Sequence, residues 1–296
     1  MWVLSCKTVG FVVKWGINIL ELDMGKFDGV LICTDLDGTL FRDDKTVSKE
    51  NLDAIEYFKS EGGYFTFVTG RPPCLIGAVY DLVKPNAPIG CVNGGAVYDY
   101  ENQKYLWLKP LPSDVMELVD YIDVNVEGVG IQPNGRDKLY IRQENPAMEV
   151  FRQITDKIEV VSGDGGFDDD LIKIVFADYD EGRLMRVAEL LDKHPRADEF
   201  EFLRTEKILY EILPKGINKG AVLPRLSEIL GVLPEKIIAV GDYYNDLEMI
   251  RAAGVGVAVA NAVDEVKAVA DYITVSNEEH AIAKVIEELE KGILKL

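Results

Sequence analysis

Asp35, Leu36, Asp37, Gly38 and Thr39 follow the apolar run Val30, Leu31, Ile32 and Cys33, and their types and spacing invite chemistry more clearly than any others in the chain. In an extended segment residues i and i+2 point to one side, so the carboxylates of Asp35 and Asp37 would project together from the carboxyl end of a buried strand. Two such groups cannot both ionise easily at close range; a bound cation, a shared proton, or both relieve the repulsion. The pair therefore suits a nucleophile, Asp35, beside an acid/base partner, Asp37, and a divalent metal. Gly38 lets the chain turn sharply with its amides near an anion.

Three further sites fall at strand ends or at a helix start, where open α/β sheets bind their ligands. Thr69 closes a second apolar run within Val68, Thr69, Gly70, Arg71 and Pro72, and its hydroxyl and neighbouring amides can hold phosphate oxygens. Lys219 begins a helix, where a cation opposes the helix dipole unless an anion sits there. Asp242 and Asp246 form a second acidic pair after the run Ile237 to Val240, spaced to hold a hard cation, and magnesium suits such oxygen ligands beside a phosphate. Asn245 can donate to a phosphate oxygen or to a neighbouring carboxylate. Singly, each has a plain structural reading: a β-branched strand terminus, a surface lysine, an acidic turn. Together, and in this order, they specify phosphoryl transfer.

The elements that must position these groups read as an α/β core with an insertion. Val30–Thr34 and Tyr64–Thr69 are expected strands, separated by a helix from a Ser48 cap to about Ser60 and stopped by Gly62 and Gly63. A helix over roughly Pro73–Val83 leads to the strand Ile89–Val92. Beyond Gly95 the texture changes to short strands (Lys138–Arg142, Leu171–Ala177, Ile208–Leu213) and two helices (Leu111–Asn125, Glu181–Leu191). This is read as an inserted α+β cap, residues 98–209, with an antiparallel sheet and helices on one face. The core, residues 24–97 and 210–296, is expected to be a parallel Rossmann-like sheet with helices on both faces. Lys219–Leu230 and Glu278–Leu296 are expected helices, and Ile237–Val240, Val255–Val259 and Tyr272–Thr274 are expected strands. Gly163–Asp170 reads as a solvated turn, since it lacks calcium-loop spacing.

Composition narrows the function. The 296 residues carry 51 Asp plus Glu against 32 Lys plus Arg, a formal charge of −19, which disfavours nucleic-acid backbones and anionic membranes as partners. Any phosphate must then be held by local metal, lysine and amide donors. Four scattered cysteines show neither pairing nor metal-ligand spacing, in keeping with a reduced cytoplasm, and two histidines leave little room for histidine chemistry. Residues 1–23 are too short and too broken by Lys14, Glu21 and Asp23 for a membrane span, lack a cleavage signal, and read as an extension or alternative start before Met24. Nothing in the chain speaks to its oligomeric state.

The combination resembles the haloacid dehalogenase-like hydrolase superfamily, and within it the Cof-type phosphatases, over about residues 28–290. The resemblance lies in Asp35–Thr39 with Leu40; Thr69 in VTGRP; Lys219 in GINKG; Asp242, Asn245 and Asp246 in GDYYND; CVNGGAVYD around Asn93; and the segment Val257–Asp264. It implies magnesium bound by the Asp35 carboxylate, the Asp37 carbonyl and the Asp242 carboxylate, with Asp246 in support directly or through water. It also implies that Thr69, Gly70, Lys219 and Asn245 hold the phosphoryl group, that Arg71 and Asn93 meet the substrate or the cap, and that the cap lies between Thr69 and Lys219. Ala260 before Asn261 departs from the family's usual glycine. The function expected is magnesium-dependent hydrolysis of a small phosphorylated metabolite, a sugar phosphate or cofactor precursor, through an aspartyl phosphate. A hexose-phosphate phosphomutase and a non-catalytic phosphate-binding module are the alternatives.

Overall fold

The computed structural model describes residues 25–161, 167 and 169–296, so the expectations for residues 1–23 and for most of Gly163–Asp170 fall outside the described residues. Along the chain, β1 (Leu31–Thr34) is followed by α1 (Lys49–Ser60), β2 (Tyr64–Phe67), α2 (Gly77–Val83) and β3 (Ile89–Cys91). Then come β4 (Ala96–Asp99), β5 (Lys104–Leu108), α3 (Met116–Asn125), β6 (Gly130–Asn134), β7 (Leu139–Ile141), α4 (Glu149–Arg152) and β8 (Ile158–Val160). The chain continues with β9 (Lys173–Ala177), α5 (Glu181–Asp192), β10 (Phe200–Glu206), β11 (Leu209–Pro214) and α6 (Leu223–Leu230). It ends with β12 (Ile237–Gly241), α7 (Leu247–Ala252), β13 (Val255–Ala258), α8 (Asp264–Val269), β14 (Tyr272–Ile273) and α9 (Ala281–Glu290).

The core is a parallel sheet in the order β14-β13-β12-β1-β2, flanked by helices. Its strands are short runs, apolar but for Thr34 and Thr66, as a sheet covered on both faces requires. β1 is fully buried at its centre, where the chain has built outward to β2 on one side and to β12 on the other. That is the point at which strand order reverses and a ligand crevice opens. α1 starts where Ser48 Oγ accepts the Asn51 amide at 3.2 Å, and its apolar face carries Ile55 and Phe58 into the core.

The second sheet has the order β10-β11-β9-β6-β7-β8. Residues such as Leu118, Ile122, Leu184 and Val187 of α3 and α5 pack with Ile131, Ile174 and Phe176 on one face. Two details differ from expectation. β7 and β8 pair in parallel, and the short α4 packs on the opposite face, where Met148 and Phe151 meet Leu139, Ile141 and Val175.

Sheet membership also shifts the expected boundaries. β4 and β5 pair with β3 rather than with the inserted sheet, so residues 98–108 stay with the core. β11 pairs with β9 and β10 through Pro214, which carries the inserted sheet past residue 209. The final helix is shorter than the expected Glu278–Leu296: a turn at Asn277–Glu279, capped by Ser276, ends at His280 with φ of 63°, and α9 begins after that left-handed residue. Among the described residues no helix is long and apolar enough to cross a membrane.

Candidate active site

The five residues after β1 form one tight turn, with Gly38 at φ 78°. A Cβ at Gly38 would lie 2.4 Å from Asp242 Oδ2, so both the turn and the close approach of the two strand ends require glycine. Thr39 Oγ1 donates to Asp242 Oδ1 at 2.8 Å, joining the turn after β1 to the turn after its neighbour β12.

Lys219 lies beneath these turns, fully buried. Asn218 caps its 3₁₀ turn by accepting the Ala221 amide, and Lys219 Nζ stands 2.7 Å from Asp35 Oδ1 and 2.6 Å from Asp246 Oδ1. Burial pulls the ammonium down, but Asp246 and Asp35 outweigh it and hold the lysine above its ordinary range. Burial raises the Asp35 carboxyl well above the usual value despite Lys219, and Asp246 and Asp242 add to the rise. Asp242 is pushed up to about 7 by burial first and by Asp246 second.

Carboxylate oxygens of Asp35, Asp242 and Asp246 lie within 4.8 Å of one another, against the single charge of Lys219. An excess of close, hard oxygen donors, two of the three carboxylates buried, fits magnesium, which would supply the missing positive charge. Among the three, Asp246 is the most committed elsewhere: Oδ1 takes the lysine, and Oδ2 accepts the Asp242 and Tyr243 amides at 2.9 and 3.1 Å. Asp35 and Asp242 each keep an oxygen without a protein donor among the described residues, so they are the better direct ligands.

Asp37 is held apart from this cluster. Arg71 grips it with Nε at 2.9 Å from Oδ2 and Nη2 at 2.8 Å from Oδ1, and Lys45 Nζ reaches Oδ1 at 2.8 Å. Burial pushes the Asp37 carboxyl up, but Arg71 and then Lys45 reverse the effect and leave it below the ordinary range.

Thr69 Oγ1 accepts the Arg71 amide at 3.2 Å, which shapes the loop after β2. Next to it, Val92 and Asn93 both adopt positive φ, 54° and 51°, an uncommon conformation that for β-branched Val92 costs about 1–3 kcal/mol. The strained turn presents Asn93 to both domains. Asn93 Oδ1 accepts from Asn245 Nδ2 at 3.1 Å, and Asn93 Nδ2 donates to Glu211 of β11 at 2.8 Å. Glu211 in turn takes Lys173 Nζ of β9 at 2.6 Å, and the same ammonium donates to the Gly70 carbonyl at 3.1 Å. A buried ion pair on the inserted sheet thus touches the Gly70 loop directly and reaches Asn245 through Asn93.

The strand ends open into a cavity of about 1070 Å³ between the two sheets, lined by Asp35, Asp37, Thr69, Gly70, Arg71, Asp242 and Asn245 on the core side and by Gln132, Asn134, Lys173, Thr205 and Glu211 on the other. The structure therefore brings Asp35, Lys219, Asp242 and Asp246 into one cluster, sets Asp37 with Arg71 beside it, lines the cavity with Thr69, Gly70 and Asn245, and buries Asn93 behind Asn245. Lys45, Lys173 and Glu211 were not among the sequence candidates. Lys173 in LIKIVF and Glu211 in YEILP are single charges inside apolar runs, a signal that could have marked them.

A parallel α/β core with an acidic cluster at its switch point thus carries a second, inserted sheet. A family model described as haloacid dehalogenase-like hydrolase matches residues 32–286, and the chain belongs to that family. It is 30% identical over 260 residues to the 5-amino-6-(5-phospho-D-ribitylamino)uracil phosphatase YitU of Bacillus subtilis, covering 87% of this chain and 96% of the relative. It is 28% identical to the pyridoxal phosphate phosphatase YbhA of Escherichia coli, over 86% of this chain and 97% of the other. Among solved structures, a haloacid dehalogenase-like hydrolase of Bacteroides thetaiotaomicron superposes with a TM-score of 0.76 at 28% identity, covering 88% of this chain and 99% of that one. The protein is a phosphatase of this family.

Proposed function

We propose that this phosphatase hydrolyses small phosphorylated metabolites, sugar phosphates or cofactor precursors, by passing the phosphoryl group first to Asp35 and then to water, with magnesium at Asp35, Asp242 and the Asp37 carbonyl. The observation that carries the reading is the Asp35 carboxylate fixed against buried Lys219 at the mouth of the cavity. The relatives named for a ribitylaminouracil phosphate and for pyridoxal phosphate support a small substrate.

Asp35 attacks phosphorus in line with the ester oxygen, forming an acyl phosphate as the P–O ester bond breaks. Asp37 gives its proton to the departing alkoxide. It then takes a proton from the water that attacks phosphorus and releases inorganic phosphate, restoring Asp35. Arg71 and Lys45 favour the ionised form of Asp37 needed in the second half; Arg71 turning from Asp37 to an incoming phosphate raises its proton affinity for the first. Magnesium, when bound, supplies positive charge that stabilises the phosphoryl oxygens as negative charge develops on them. Lys219 orients Asp35, Thr69, Gly70 and Asn245 hold the phosphoryl oxygens, and the cap excludes bulk water.

The test is phosphate release from p-nitrophenyl phosphate with chelator and with magnesium restored, together with mass spectrometry of acid-quenched enzyme for a phosphoryl group on Asp35. Full activity in chelator would refute the metal role. Conversion of a sugar monophosphate to its isomer without free phosphate would favour the mutase instead.

A further inference from the structure

The turn that carries Asp37 is also held from behind, by residues outside the cavity. Asn261 Nδ2 donates to the Gly38 carbonyl at 2.8 Å, and Asn261 Oδ1 accepts the Asn277 amide at 3.0 Å. Asn277 Nδ2 uses both its hydrogens on the next stretch of chain, donating to the Phe41 carbonyl at 3.0 Å and to Asp43 Oδ1 at 3.2 Å. Glu278 Oε1 adds a further bond by accepting the Asp43 amide at 2.7 Å. Asn277 is 3% exposed, and the capping box of Ser276 and Glu279 fixes its own segment. A short turn near the end of the chain thus grips Gly38 and Phe41 together.

This grip matters because the gripped segment has little to hold itself with. Gly38, at φ 78° and ψ −3°, has no side chain, so the direction of its carbonyl depends on the partner that carbonyl finds. Beyond Phe41, Arg42 N donates to the Thr46 carbonyl and Lys45 N to the Arg42 carbonyl, both at 2.9 Å. They close a hairpin that carries Lys45 back to Asp37. Phe41, Asp43 and Lys45 line the cavity, whereas Asn261, Asn277 and Glu278 do not.

We propose, resting on the role given to Asp37 above, that Asn261 and Asn277 are positioning residues for phosphate release: by fixing the Gly38 and Phe41 carbonyls they hold Asp37 and Lys45 in place beside Asp35. Their bonds run to backbone and to Asp43, so they act on the rate without adding to the binding of substrate. A misplacement of about 1 Å in a reacting group can cost about a hundredfold in rate. A purely structural role would lower stability and leave the turnover of folded enzyme as it was.

Steady-state kinetics on p-nitrophenyl phosphate and riboflavin 5′-phosphate, two esters with unlike leaving groups, test the assignment together with urea denaturation of the same variants. Asn261→Ala changes an exposed side chain, where folding is not at stake. There kcat is expected to fall about tenfold on both esters, with KM changed less than about twofold and the urea midpoint unmoved. Asn277→Leu removes both donors from a buried site and is expected to lower kcat by about tenfold to a hundredfold on both esters, again with KM little changed, alongside a lower urea midpoint. Wild-type kcat in Asn261→Ala overturns the proposal, whatever becomes of Asn277→Leu. A rise in KM at unchanged kcat overturns it as well, since that would make the brace a part of substrate binding. Asp37→Asn separates the proposal from the reading it rests on. With wild-type turnover in Asp37→Asn, the role of Asp37 and this proposal fall together; with Asp37→Asn inactive and Asn261→Ala unimpaired, this proposal falls alone.

Discussion

The core and the cap both bury polar groups against the cavity, but they balance them differently. In the core, Asp35, Asp242 and Asp246 surround a single Lys219, and burial, with the neighbouring Asp246 charge second, pushes Asp242 up to about 7. In the cap, the stripe Asn134, Lys173, Glu211 and Thr205 crosses the sheet with one cation and one anion paired at 2.6 Å, beside neutral amides. In the function proposed above, the site left short of positive charge takes a metal and a transferring phosphoryl group, while the balanced one reads the leaving group and seats on its partner domain. The difference teaches that chemistry and selectivity are carried by separate polar sets. Removing a core group should therefore affect every substrate, while the cap's effects should divide according to which residue is changed.

The largest effect is expected at Asp35. Asp35→Asn removes the proposed nucleophile while keeping its shape, so phosphate release should fall by about 10⁴-fold or more on every ester, with the circular dichroism spectrum unchanged. Substrate-dependent residual turnover would break the division between the two regions. Next is Lys219→Met. It strips the cluster of its only buried cation, so stability measured by urea denaturation should drop by about 3–5 kcal/mol, with activity lost as well. Pairing it with Asp246→Asn should recover part of the stability and none of the activity, because Asp35 would still lack its orienting partner.

Legibility followed the same split. The turn after β1 could be read in the sequence because its geometry is local: Asp35, Asp37 and Gly38 declare themselves within one strand end. Lys219 could be read because a lysine at a helix start is electrostatically out of place. The occupation of Asp246 could not, since its two backbone donors depend on the tight turn after β12. Neither could the placement of residues 98–108 or of β11, because a short apolar strand carries no mark of which sheet it will join. The grip of Arg71 on Asp37 was likewise hidden, since it joins the loops after β1 and β2, which only the sheet order brings together, whereas Lys45 reaches Asp37 within a single connection. In the cap the obstacle was different. Polar residues one at a time along β6, β9 and β11 look like imperfect alternation until the register of the strands aligns them into a stripe.

The stripe's ion pair provides the intermediate effect. Glu211 holds Asn93, which holds Asn245, while Lys173 holds the Gly70 carbonyl, so this pair acts on the phosphate loops rather than on the leaving group. Glu211→Gln should raise KM for all esters, and the inhibition constant of inorganic phosphate, by about tenfold, equivalent to about 1.4 kcal/mol, with kcat little changed. The double variant Lys173→Met with Glu211→Leu should regain stability by removing both buried charges and should keep the raised KM. A rise limited to one leaving group would assign the pair to substrate reading instead.

The smallest effect tests whether the kinetic changes above belong to the site and not to loss of stability in general. Ser48 caps α1 by accepting the Asn51 amide, far from either polar set, and α1 packs on α9 at the back of the core. Ser48→Ala should lower unfolding free energy by about 1 kcal/mol, read as a shift in urea midpoint at unchanged slope. Because α1 does not line the cavity, kcat and KM should remain at wild-type values for riboflavin 5′-phosphate and p-nitrophenyl phosphate alike. If this scaffold loss raised KM by as much as Glu211→Gln, the effect at Glu211 would reduce to stability, and the cap would lose its claim to a positioning role.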